Sequence, residues 1–86
     1  MTYLNTGRYK KYAMDSSFYD NAKLKELRQI HGLTQQEVAD RIGIRRQTIW
    51  RAERGLSISF NLLNALAGVY GIKTLKLMRG SRSMAA

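Results

Sequence analysis

The 86-residue sequence has no cysteine, one histidine, six carboxylates and no long apolar run. The lack of cysteine excludes a disulfide framework and a thiolate metal site. His31 has no second ligand candidate at metal spacing and stands just before Gly32, so it reads as a helix-end residue rather than a ligand or base. No hydrophobic stretch approaches the roughly 20 residues that a membrane span needs. The opening MTYLNTGRYKKY is too polar for a signal peptide, and a cytoplasmic protein is expected. The few acids face 15 Lys and Arg, for a formal net charge of +9. Basicity alone fits solubility or acidic-lipid binding, so its placement has to decide. The length suits one small domain with a core near the lower limit for folding alone, which a dimer would reinforce.

What is present centres on residues 35–52, QQEVADRIGIRRQTIWRA. Val38, Ala39 and Ile42 repeat with a helical period before Gly43, and Ile49 and Ala52 do so after it. The pattern predicts two short helices on one core, joined by a tight turn at Gly43, where a positive φ suits glycine. Ile44 plugs that turn, and Thr34 with Glu37 forms a T-x-x-E capping box ahead of the first of the two. This is a helix-turn-helix, whose second helix enters the DNA major groove. Its outward positions carry Arg45, Arg46, Gln47, Trp50 and Arg51. From Arg41 to Arg54 five arginines face only Glu53, a concentration that favours nucleic acid over lipid.

With these residues in view, the chain resembles the Xre/Cro family of phage-repressor-type regulators. LKELR at 24–28, GLTQQEVA at 32–39, IGI at 42–44, TI at 48–49 and ERG at 53–55 carry the likeness, which runs from about Leu24 to Ile72. The resemblance implies an all-α, lambda-repressor-like bundle of four to five short helices, and a structural ion pair between Arg28 and Glu53. It also implies that the start of the second helix abuts the sugar-phosphate backbone, with Gln35 and Gln36 placed for contact. Base contacts are expected from Arg46, Gln47, Trp50 and Arg51. Arginine can hold guanine and glutamine adenine bidentately, each worth about 1 to 3 kcal/mol of discrimination. Trp50 either presses on thymine methyls or deoxyribose, or covers the adjacent loop or a partner surface. Arg45 stands where many relatives have a capping Ser or Thr, and with Arg54 is expected on the DNA backbone. Glu37 and Glu53 thus have structural work, leaving no acid-base pair for an enzyme. No catalytic residue, metal or cofactor is expected.

Four segments follow: a basic N-terminal arm over 1–15, the DNA-binding domain over 16–72, a strand over 73–78 and a flexible tail over 79–86. The arm, with Tyr3, Tyr9, Tyr12 and several cations, could follow phosphates or enter a minor groove, or be a solvated terminus or short strand on the body. The first helix should begin near Ser16 to Asp20 and run to His31, with Phe18, Ala22, Leu24, Leu27 and Ile30 as its apolar face. A last helix has its period at Phe60, Leu63, Leu66, Ala67 and Tyr70, with Ser57 or Ser59 as cap and Gly71 as stop. Many relatives have proline near 58 or 59, and this chain has none. IKTLKLM at 72–78 alternates with period two and predicts a strand, its Lys73, Thr74, Leu75, Lys76 and Leu77 pairing across a two-fold axis; a fifth helix is the alternative. Such a strand is similar to that of HipB-like antitoxins, whose toxin is a HipA-type kinase. The combined expectation is a homodimeric, sequence-specific double-stranded DNA-binding regulator, a repressor and antitoxin of a toxin-antitoxin operon. Alternatives are a phage-type or restriction-modification controller with a helix-mediated dimer, and a protein-interaction module without specific DNA binding.

Overall fold

The computed structural model describes residues 13–79; positions 1–12 of the expected arm and 80–86 of the expected tail lie outside the described residues. Four helices, α1 (Asn21–Ile30), α2 (Gln35–Ile42), α3 (Arg46–Glu53) and α4 (Phe60–Tyr70), make up the body. A two-residue strand β1 (Ala13–Met14) precedes them, β2 (Ile58–Ser59) lies between α3 and α4, and a 3-10 turn (Thr74–Leu77) follows.

Local chemistry sets the helix ends. Asp20 caps α1 by accepting the Lys23 N–H at 3.1 Å. At α2 both halves of the capping box are made: the Glu37 N–H donates to Thr34 Oγ1 at 3.0 Å, and the Thr34 N–H donates to Glu37 Oε1 at 2.8 Å. Gly43 ends α2 at φ 83°, in the left-handed region expected of it. Ser59, not Ser57, caps α4 by accepting from the Leu62 N–H. β1 and β2 pair antiparallel, Ala13 opposite Ser59 and Met14 opposite Ile58. Because neither 58 nor 59 is proline, this stretch keeps the N–H groups that a ladder draws on.

The core forms where α2 packs on both α3 and α4, with α1 packed on α3. Val38, Ala39, Ile49 and Ala52 pack with Leu24, Leu63, Leu66, Ala67 and Tyr70. The apolar face of α1 is narrower than its sequence suggested, since Leu24 is its only buried residue and Phe18, Ala22 and Ile30 are exposed. Phe18 precedes the helix and escapes its periodicity. Within it, at 100° per residue, Ala22 lies about 160° and Ile30 about 120° around the axis from Leu24. Tyr19, one place after Phe18, is buried instead.

The strand expected over 73–78 is replaced by the 3-10 turn. In such a turn residues three apart eclipse one another, so Thr74 and Leu77 share a side that the period-two reading had split. Thr74 donates its hydroxyl to Asn64 Oδ1 on α4, and Leu77 is fully buried. Lys73, Leu75 and Lys76 remain exposed. Backbone bonding here is supplied by the chain itself. The Asp20 N–H donates to the Leu77 carbonyl at 2.8 Å, Met78 bridges to Tyr19, and the Arg79 N–H donates to the Phe18 carbonyl at 2.9 Å. Arg79, expected in the frayed tail, is therefore anchored; its Nε also donates to the carbonyls of Ser16 and Tyr19 at 2.6 and 3.1 Å.

Candidate nucleic-acid interface

Burial of Ile49 and Ala52, with Thr48 half-buried, fixes which way α3 faces. Arg46, Gln47, Trp50 and Arg51 are left on its exposed side, as is Arg45 at the N-cap. Arg45 makes no side-chain capping bond, because a guanidinium has no acceptor to offer. Among the described residues, no hydrogen bond or ion pair holds the side chains of Arg45, Arg46 or Gln47. Arg51 lies near the Tyr19 hydroxyl, whose pKa it draws down slightly against a larger rise from burial.

Trp50, 39% exposed, is flanked on the next turn by Arg54, whose guanidinium carbon lies 4.8 Å from the indole centroid. The ring borders two hollows. One, of about 320 Å³, is lined by Arg46, Gln47 and Trp50. The other, of about 200 Å³, is lined by Lys25, Arg28, Gln35, Trp50, Glu53 and Arg54. Arg46 is the one charged group lining the first, and in the second three cations meet one carboxylate, a balance that suits a polyanion.

Beneath this face Arg28 and Glu53 form a two-pronged ion pair. Arg28 Nε donates to Glu53 Oε2 at 2.6 Å and Nη2 to Oε1 at 3.1 Å, while Nη1 donates to the Leu33 carbonyl at 2.9 Å. The side chains are only 13% and 5% exposed. Hydrogen bonding to Glu53 raises the Arg28 pKa further, with burial opposing. Gln35 donates its amide to Glu53 Oε1 at 3.1 Å, and Gln36 donates to Asp40 Oδ1 at 2.9 Å. Both glutamines expected on phosphates are thus engaged within the chain.

The end of α3 is held from behind by the segment leading into α1. The Tyr19 hydroxyl lies 3.1 Å from the Ala52 carbonyl and 2.6 Å from that of Leu56, Asn21 Nδ2 donates to the Glu53 carbonyl at 3.0 Å, and the Ser16 N–H donates to the Gly55 carbonyl at 3.0 Å. These donors satisfy carbonyls that a helix end otherwise leaves open. Gly55 has φ 82°, and a Cβ there would stand 2.8 Å from Ser16 Cβ. Sequence reading missed Tyr19 and Asn21. A signal existed: Tyr19 directly precedes the capping Asp20, with Leu24 at the fourth helical position, the spacing of a hydrophobic staple.

The family model described as helix-turn-helix matches residues 24–77, more than half of the chain. The chain belongs to the Xre/Cro family of helix-turn-helix regulators. A relative, an uncharacterized HTH-type transcriptional regulator of Methanocaldococcus jannaschii, is 40% identical over 52 residues, which is 59% of this chain and 79% of that one. No solved structure gives a significant match. As an Xre/Cro regulator the protein binds DNA and acts on transcription. No helix among the described residues is long and apolar enough to cross a membrane, and no group of three or more His, Asp or Glu there could hold a metal ion.

Proposed function

We propose that the protein is a homodimeric, sequence-specific repressor that reads double-stranded DNA through Arg46, Gln47, Trp50 and Arg51. The supporting observation is that these side chains stand exposed on one ordered helix, with Arg46 and Gln47 engaged by nothing else among the described residues. Arg45 and Arg54 flank them and serve the phosphates, as do Gln35 and Gln36 once DNA competes for their amides. A dimer places two such helices in successive major grooves, on half-sites about 34 to 36 Å apart, and a bound dimer at a promoter excludes polymerase.

The antitoxin reading, with its HipA-type kinase partner, drew on a strand over 73–78. With a 3-10 turn there instead, the phage-type or controller regulator with a helix-mediated dimer is the reading favoured here. Leu56 and Phe60, 39% and 41% exposed where α4 begins, offer apolar surface for that contact.

Selection of bound sequences from a random duplex pool tests the reading. A two-fold-symmetric consensus should emerge, its affinity should survive competitor DNA, and binding should weaken steeply with salt. Binding that is weak and indifferent to sequence would refute the regulator reading, and a consensus without two-fold symmetry would refute the dimer.

A further inference from the structure

We propose that Arg54 is a positioning residue for Trp50, and that the indole it steadies reads a thymine methyl. The inference rests on the DNA-reading face proposed above. Three observations converge on it. Arg54 is one helical turn beyond Trp50, the i, i+4 spacing that brings side chains together, and its guanidinium lies over the ring at 4.8 Å. Of the two hollows described above, Arg54 lines the one that holds Lys25, Arg28, Gln35 and Glu53, whereas Trp50 borders both. Arg54 follows Trp50 by four residues on α3 while Arg46 and Gln47 precede it by four and three, so the guanidinium approaches the ring from the side away from them. What remains toward them is an apolar wall beside two hydrogen-bonding side chains.

In the major groove the thymine methyl is the apolar group on a base edge, and an apolar surface beside a hydrogen-bonding Arg–Gln pair suits it. A tryptophan on an exposed helix face would otherwise sample several rotamers, and ordering it on binding would cost affinity. A planar cation stacked on the ring lowers that cost before DNA arrives. Lysine would keep the charge but lose the flat stack.

Trp50 is the chain's sole tryptophan, so its fluorescence reports on this ring alone. In the free protein, Arg54→Ala and Arg54→Lys should both increase acrylamide quenching and lower the anisotropy of the indole. On the selected operator, each thymine is replaced in turn by uracil, which lacks only the methyl. One position per half-site should cost the unaltered protein about fourfold in affinity, the worth of one buried methyl-sized group. That penalty should vanish in Trp50→Ala and shrink in both Arg54 variants. If no uracil substitution carries a penalty that Trp50→Ala removes, the methyl-reading role is wrong. If Arg54→Lys behaves as unaltered protein while Arg54→Ala loses affinity uniformly and flattens the salt dependence by about one, Arg54 is a phosphate contact and nothing more. A failure of the regulator reading is distinguishable, since the unaltered protein would then show no sequence preference at all.

Discussion

The hydroxyl of Tyr70 is buried without a hydrogen-bond partner among the described residues, while that of Tyr19 lies within reach of two carbonyls. Burial pushes both phenols up to about 12, helped by Asp15 at Tyr19 and by Glu53 at Tyr70. The unfolded chain then loses these protons near its ordinary value of 10 while the folded chain keeps them. Stability is therefore complete below pH 10 and falls between pH 10 and about 12, by up to about 1.4 kcal/mol per pH unit for each tyrosine. Urea midpoints measured from pH 8 to 12 should trace that decline, and Tyr70→Phe should lessen it. At neutral pH Tyr70→Phe should leave stability unchanged or slightly improved, because it removes a buried polar group that forms no bond, whereas Tyr19→Phe should lower it by about 1 kcal/mol or more. On the exposed face of α3, Arg46→Ala and Gln47→Ala should each relax discrimination at particular base pairs by about 1 to 3 kcal/mol with an unchanged melting temperature. Selection repeated with each variant checks this, and a lowered melting temperature would mean that these side chains support the fold.

At the scale of elements, α3 is aimed by two separate devices. One is the Arg28–Glu53 pair, which ties it to α1 with Gln35 of α2 as a third member. Arg28→Ala should lower stability by roughly 3 to 5 kcal/mol, since it leaves the Glu53 carboxylate buried and short of its partner; thermal melts of the two proteins measure it. The other is the bracket of Ser16, Tyr19 and Asn21 around the α3 carboxyl end. Gly55→Ala should be more harmful than Gly43→Ala. Both positions have positive φ, but only at 55 does the new Cβ collide with a neighbour. Much of this was legible in the residues. The T-x-x-E box, the glycine between two helical periods and the inward Ile49 and Ala52 are local signals, and local signals set helix ends and faces. The bracket was harder to see because it joins positions more than thirty apart, through a hydroxyl, an amide and a backbone N–H, none of which alters hydrophobic periodicity. The 73–78 segment misled for a related reason. Six residues alternating with period two fit a strand, but the burial of Leu77 in the core and the Thr74 bond to α4 decide its shape, and both depend on where other elements sit.

For the whole molecule, the two described ends of the chain meet. Residues 16–20 lie between the α3 terminus on one side and Leu77, Met78 and Arg79 on the other. Truncation after Ile72 should therefore unfold the domain, because it empties the Leu77 site and leaves the Asp20 N–H and Phe18 carbonyl unpaired. Circular dichroism and sedimentation of the truncated chain separate the outcomes; a folded monomer would mean that the segment serves assembly alone. This closure also bears on exchanging DNA specificity between relatives. Grafting a foreign 45–54 stretch into this scaffold would change the letters read, yet its pitch in the groove would still be dictated by Tyr19 and Asn21. A donor protein whose own lead-in lacks that phenol and amide evolved against a different seat, so its helix would arrive tilted unless residues 16–21 were transplanted with it.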